Sequence, residues 1–125
     1  MNIPADLKYT KSHEWVKIDG DVATIGITEY AQGELGDVVF VDINEDVDAQ
    51  MDDPIGTIEA VKTVADIFAP LSGKVIEINP VVKDSPETVN KDAYGEGWLA
   101  KMSIKDSSEI NSLLDAEAYK ALIGQ

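Results

Sequence analysis

Ile55-Gly56-Thr57-Ile58-Glu59-Ala60-Val61-Lys62-Thr63-Val64-Ala65-Asp66-Ile67-Phe68-Ala69 contains two β-prone arms around Val61-Lys62-Thr63. Pro70 and Ser72-Gly73 punctuate the exit, before the strand-like run Lys74-Val75-Ile76-Glu77-Ile78. The pattern predicts a β-hairpin with Lys62 at the reversal. A lysine in such a place is by default a solvated charge. The same geometry also makes it a handle: the tip holds the ε-amine clear of the sheet, where a modifying enzyme can engulf it, and the paired arms fix its position at little entropic cost. Val61 and Val64 beside it have two readings, part of a docking surface or ordinary strand residues. Glu59 and Asp66 lie on opposite arms, and a register that sets them face to face would cost stability through like charges. The residues alone leave that register open.

Outward from the hairpin the chain reads as a succession of short strands. Trp15-Val16-Lys17-Ile18 and Val22-Ala23-Thr24-Ile25-Gly26-Ile27 flank Asp19-Gly20-Asp21, whose Asp-Gly pair supports a tight reversal, so an opening hairpin is expected. Thr28 is placed to cap a short helix running to about Leu35, weakened by Gly33 and stopped by Gly36. Val38-Val39-Phe40-Val41-Asp42-Ile43 is a further strand. The acidic stretch from Asn44 to Asp53 reads as a solvated loop, with recognition of a basic partner as the alternative. Pro80 to Gly97 reads mostly as loop and Trp98 to Ile104 as a closing strand. Asp106 with Glu109 suggests the cap of a C-terminal helical segment over about 106–123. Ile110, Leu113 and Leu114 fall on one helical face, and a restart at Asp115 places Tyr119, Leu122 and Ile123 on the next. The run Gly36 to Asn44 is faintly echoed by Ser72 to Asn79, each ending in an acidic-Ile-Asn triplet, as two quasi-equivalent half-sheets would be. The expected fold is mainly β, a small sandwich or flattened barrel with short helices and a C-terminal helical tail.

Composition narrows the function. With 125 residues and 44% hydrophobic content, one core and hence a single domain over 1–125 is expected. The absence of cysteine removes disulfides, thiolate metal sites and cysteine nucleophiles, and fits a cytosol-like compartment. The lone histidine, His13, rules out histidine-rich metal centres and leaves a Ser-His-Asp triad only one residue to be built on. Twenty-four acidic residues against 10 basic ones give a formal charge of −14, which opposes nucleic acid and anionic membrane as partners. Met1 to Asp6 lack the basic and apolar blocks of a signal peptide, and no apolar run is long enough to cross a bilayer. A cytoplasmic protein is expected, or a mature chain of the mitochondrial matrix.

Gly56 to Val75, taken as one segment, resembles the lipoyl-attachment segment of the glycine cleavage system H-protein family. Other landmarks of that family follow in order: Tyr9 with Ser12-His13-Glu14-Trp15, then Val22 to Thr28, then Leu35-Gly36-Asp37-Val38-Val39-Phe40-Val41. Tyr94-Gly95-Glu96-Gly97-Trp98-Leu99 and Leu113 to Tyr119 complete the set, so the similarity runs from about Leu7 to Ile123 without a large insertion.

The resemblance implies a lipoyl/biotinyl-carrier-like fold of the hammerhead type and a carrier that is not an enzyme. It implies lipoate in amide linkage to Lys62, attached by a lipoate ligase or octanoyltransferase that reads Glu59, three residues before the lysine, and Gly73, eleven after it. The implied partners are a pyridoxal-phosphate glycine decarboxylase that loads an aminomethyl group, a tetrahydrofolate-dependent aminomethyltransferase that removes it, and an FAD-dependent dihydrolipoamide dehydrogenase that reoxidises the dithiol. Residues matching Ser12, Glu14 and Asp66 line a cleft that shelters the loaded arm, where carboxylates suit a cationic amine. His13 and Trp15 read as packing residues. Many members carry histidine in the neighbourhood of Gly33-Glu34 where this chain has Glu34, so a cleft contact relying on that imidazole is not expected here.

Other lysine-handle proteins fit less well. Biotin carriers typically flank the lysine with methionines, where Val61 and Thr63 stand here. Lipoyl domains of 2-oxoacid dehydrogenases usually place aspartate just before it and lack the Ser12 to Trp15 and C-terminal segments. A Schiff-base enzyme needs a desolvated amine with a lowered pKa, which an exposed tip opposes. The alternative that stays open is an H-like paralogue serving lipoate relay or redox-linked regulation.

Overall fold

Buried and exposed side chains alternate along β4 (Val38–Ile43), with Val41 and Ile43 facing inward and Phe40 and Asp42 facing solvent, as a sheet with one wet face requires. The computed structural model describes all 125 residues. Before β4 come β1 (Lys8–Tyr9), β2 (Glu14–Asp19), β3 (Val22–Ile27) and helix α1 (Glu29–Leu35). After it come β5 (Asp48–Ala49), β6 (Pro54–Ala60), β7 (Val64–Phe68), β8 (Gly73–Ile78), helices α2 (Pro80–Asp84) and α3 (Thr88–Lys91), β9 (Ala100–Ser103), a 3₁₀ turn (Ser107–Ser112) and α4 (Ala116–Ile123).

The strands form two antiparallel sheets, one in the order β1-β2-β3-β9-β8-β5 and the other in the order β4-β6-β7. Neither closes on itself, so the architecture is an open sandwich rather than a barrel. Between the sheets lies a core of 20 buried residues: Val16, Ile25, Val75 and Met102 come from the larger sheet, and Val41, Ile58 and Ile67 from the smaller. Each such side chain contributes about 1.5–3 kcal/mol through its removal from water. The two echoing runs are β4 and β8, one in each sheet.

A second cluster of six buried residues, Ile3, Leu7, Tyr9, Trp15, Ala116 and Tyr119, fastens the C-terminal tail. Tyr119 of α4 stacks on Tyr9 with ring centroids 4.8 Å apart, and Tyr9 and Leu114 exchange backbone hydrogen bonds of 2.8 Å in both directions.

The expected helix caps are present. Thr28 accepts from the Ala31 amide at the start of α1, and Asp115 accepts from that of Ala118 at the start of α4. Three expectations are corrected. The acidic loop carries β5, because Asp48 and Ala49 pair with Lys74 and Gly73. The stretch Pro80 to Gly97 holds α2 and α3, the first opened by Asn79 as cap with Pro80 at its first position. Asp106 caps a 3₁₀ turn, while Glu109 leaves the cap for Ser72, accepting from its backbone amide and its hydroxyl at 2.8 Å each. Ile110 and Leu113 therefore pack on the main core and Leu114 on the second cluster, not on one common helical face.

Candidate functional site

Hairpin β6–β7 closes where the Ala60 amide donates to the Thr63 carbonyl at 2.8 Å, leaving Val61 and Lys62 at the tip. The tip is tethered, since the Val61 amide donates to the Asp37 carbonyl at 3.0 Å just ahead of β4. Lys62 is exposed and makes no ion pair; the four ion pairs of the chain engage Lys74, Lys83, Lys101 and Lys120. Its stem lies over Gly36, where a Cβ would stand 3.5 Å from the lysine Cε. Gly36 ends α1 at φ 80° and ψ −155°, a conformation reserved for glycine.

The register separates the two hairpin acids. Glu59 pairs with Val64 and Phe40, whereas Asp66 pairs with Thr57, so no like-charge opposition arises. Glu59 therefore sits on the wet face between two exposed apolar neighbours, with Val61 exposed at the tip as well.

Next to this hairpin opens a cavity of about 350 Å³. Ser12, His13 and Glu14 form one wall; Tyr30, Glu34 and Leu35 of α1 form another; Ala65, Asp66 and Ile67 of β7 form the third. All three residues expected in a cleft, Ser12, Glu14 and Asp66, are thus brought together. Asp66 follows Lys62 by four residues, on the strand β7 that returns from the tip. Gly36, under the lysine stem, directly follows Leu35 of the wall. Glu34 also lines the cavity, so a carboxylate stands on that wall.

Glu14 is the most deeply buried acid, 1% exposed. Thr10 serves it twice: its hydroxyl donates to Oε1 and accepts from the Glu14 amide at 3.1 Å. Burial pushes the Glu14 pKa up to about 7, against the opposing effect of its hydrogen bonds, with the charge of Asp52 adding to the rise. His13 packs its ring against Tyr30 and Tyr119 and bonds the Tyr119 hydroxyl through Nδ1 at 2.9 Å; burial lowers its pKa. Besides packing, it lines the cavity from a left-handed backbone at φ 71°, which nothing in the residue pattern signals. Trp15 is buried, donates from Nε1 to the Ala93 carbonyl at 2.9 Å and covers Gly26, a packing role.

Gly73 lies elsewhere, at the start of β8 in the larger sheet. A Cβ there would stand 1.7 Å from the Ser103 carbonyl oxygen. Sequence reasoning missed Asn90, in the stretch read as loop. Its side-chain amide donates to the Gly36 carbonyl at 2.8 Å and to Gln32 at 3.0 Å, and its Oδ1 accepts from the Val38 amide at 2.8 Å. One side chain thus ties the end of α1 to the start of β4 beneath Lys62. Its signal is only positional, an amide on a short helix, and becomes visible once α3 is placed.

An exposed lysine without an ion pair, on a braced tip beside an open cavity lined by the buried Glu14 and the exposed Ser12, Glu34 and Asp66, suits a carrier of a covalently held group better than a site of bond-making. Comparisons agree. The chain matches the glycine cleavage H-protein family over residues 7–125. It is 52% identical over 124 residues to the glycine cleavage system H protein of Bacteroides fragilis and 54% identical over 126 residues to that of Bacteroides thetaiotaomicron, each alignment covering 98% of both chains. The crystal structure of a glycine cleavage system H protein from Mycobacterium marinum superposes with a TM-score of 0.87 at 36% identity, covering 98% of this chain and 100% of that one. The protein belongs to the glycine cleavage H-protein family, whose members are lipoyl carriers and not enzymes. No helix is long and apolar enough to cross a membrane.

Proposed function

We propose that Lys62 carries lipoate in amide linkage and that the cavity beside it shelters the loaded end of that arm. The observation that carries the reading is the pairing of the unpartnered lysine at the tip with a cavity whose wall continues under its stem. The residues fit such a group. The amine is accessible for acylation, Ile27, Leu35 and Ile67 offer apolar wall to an alkyl chain, and Glu14 and Asp66 offer carboxylates to an ammonium. When bound, the lipoyl group supplies a long chain ending in two sulfurs that take up a one-carbon amine.

The chain's own residues do the rest. The hairpin holds the lysine out for a lipoate ligase or octanoyltransferase, with Glu59 on the wet face as a contact and Gly73 preserving the β8 geometry. Ser12, Glu14 and Asp66 hold the cargo amine, and the walls exclude water from it. The partners in this reading are a pyridoxal-phosphate glycine decarboxylase, a tetrahydrofolate-dependent aminomethyltransferase and an FAD-dependent dihydrolipoamide dehydrogenase. By tethering its cargo the carrier raises encounter probability and leaves each chemical barrier to its partners.

Intact mass and peptide mapping test the attachment. Incubation with a lipoate ligase and lipoic acid should add one lipoyl group, on Lys62 alone, and Lys62→Arg should keep the fold while losing both the mass increment and support of glycine cleavage. A lipoyl group on another lysine, or glycine cleavage sustained by the arginine variant, would refute the assignment.

A further inference from the structure

Tyr119 is fully buried on α4, yet its hydroxyl reaches two walls of the cavity at once, 2.9 Å from His13 Nδ1 and 2.7 Å from Thr28 Oγ1. His13 sits in the wall between Ser12 and Glu14, and Thr28 caps α1, which makes the facing wall. Counting protons gives the chain of bonds a direction. Thr28 is fully buried, accepts from the Ala31 amide at 3.1 Å and finds no acceptor for its own proton except the Tyr119 hydroxyl, so satisfying that proton sends it to Tyr119, whose proton in turn goes to Nδ1 of a neutral imidazole. The ring proton is then on Nε2, which makes no hydrogen bond within the chain. Burial holds the imidazole below its ordinary pKa and pushes the Tyr119 phenol up to about 12, so both stay in the required state near neutral pH.

The backbone at His13 supplies an independent observation. His13 holds a left-handed backbone at φ 71°, uncommon for a residue other than glycine, and here the Tyr30 and Tyr119 rings close on the imidazole with centroids 5.0 and 5.7 Å away. We propose that Tyr119 is a positioning residue for the carrier's arm: through its hydroxyl it fixes His13 on one wall and the cap of α1 on the other, and so presents the His13 Nε2–H to a hydrogen-bond acceptor of the arm. This rests on the reading of the cavity as the arm's shelter. It gives the C-terminal helix, far from Lys62 in sequence, a direct part in the site. A neutral His13 also adds no positive charge beside Glu14, Glu34 and Asp66, leaving those carboxylates to a cationic cargo.

Because His13 is the only histidine, nitrogen-15 imidazole spectra report one ring. Wild type should show the Nε2–H tautomer alone. Tyr119→Phe keeps the stacking on Tyr9 and deletes only the hydroxyl; it should mix the tautomers and speed ammonia release from the aminomethyl-loaded carrier on the order of tenfold. Thr28→Ser, which keeps a hydroxyl at the cap, should retain the wild-type tautomer, and Leu122→Ala, on the exposed side of α4, should leave both readouts at wild-type values. An Nδ1–H tautomer in wild type overturns the proposal without recourse to any variant, so it stays testable even if Tyr119→Phe does not fold. If wild type protects its cargo relative to free aminomethyl-dihydrolipoamide and Tyr119→Phe protects it equally well, this inference fails and the shelter stands. A wild-type carrier that decays as fast as the free compound defeats the shelter itself, and this inference with it.

Discussion

The Thr10 hydroxyl stands 2.5 Å from Glu14 Oε1 and 3.1 Å from the Glu14 amide, so one neutral group serves both the backbone and one carboxylate oxygen of the cavity's buried acid, while the Phe68 amide donates to the other at 3.5 Å. No lysine answers that carboxylate, since every ion pair of the chain lies among other residues on the surface. A buried acid with only neutral partners is costly to ionise. In the proposed reading, a cationic cargo in the cavity would offset that cost.

Stability should therefore fall with pH in a defined window. The folded pKa of about 7 lies above the ordinary value of 4.5, so the folded state binds the proton more tightly than the unfolded chain does. The contribution is fully present below about 4.5 and is lost as pH rises through about 7, a change on the order of 3 kcal/mol at roughly 1.4 kcal/mol per pKa unit. Glu14→Gln should remove this component, so the difference in unfolding free energy between variant and wild type should grow in the variant's favour from pH 5 to pH 8. A difference independent of pH across that range would show that Glu14 ionises freely.

Neutralising the carboxylates of the cavity should expose the cargo. Glu14→Gln with Asp66→Asn keeps shape and removes two acceptors of charge-assisted hydrogen bonds, each worth roughly 1.5–3 kcal/mol net. Lipoylation and the fold should be retained, while ammonia release from the loaded form accelerates about tenfold or more near neutral pH. Asp48→Asn, on β5 in the exposed acidic loop, is the control and should behave as wild type. Equal decay in all three proteins would leave protection to the apolar walls.

Asn90→Ala should loosen the bed on which Lys62 rests. The change deletes three hydrogen bonds that join the end of α1 to the start of β4, two of them to backbone groups at Gly36 and Val38. A loss of roughly 1–3 kcal/mol is expected in denaturant unfolding, with faster amide exchange at Gly36 and Val38 than in the remaining strands. Exchange unchanged at those two amides would argue against the brace.

The local part of this architecture was legible in the residues. The strand patterns around Asp19-Gly20-Asp21 and Val61-Lys62-Thr63 and the caps Thr28 and Asp115 depend on neighbours within a few positions, and the fold repeats them. What stayed hidden depends on distant partners. β5 exists only because β8 lies beside it, and Glu109 abandons its cap because Ser72 offers two donors from 37 positions away. The separation of Glu59 from Asp66 is a matter of register, which alternation alone leaves undetermined. In the cavity, Ser12, Glu14 and Asp66 were reachable through family resemblance, whereas the strained backbone of His13 and its tie to Tyr119 require the tail to be docked.

Gly73 separates a role in the fold from a role in recognition. It stands eleven residues after the lysine but on the opposite sheet, where even a methyl group would meet the Ser103 carbonyl at 1.7 Å. The neighbouring Lys74 amide donates to the Ser103 hydroxyl at 3.0 Å and the Lys105 amide to the Ser72 carbonyl at 3.0 Å, so both strands are tied at this point and neither can yield cheaply. Gly73→Ala should cost roughly 1–3 kcal/mol, or more if the end of β8 opens. Lipoylation should fall in proportion to the unfolded fraction and recover on cooling or with a stabilising osmolyte, which strengthens folding without rebuilding a lost contact. A variant with wild-type thermal stability that the ligase nevertheless ignores would place Gly73 in direct contact with the modifying enzyme, and would mean that the strands part at Ser103 more readily than their hydrogen bonds imply.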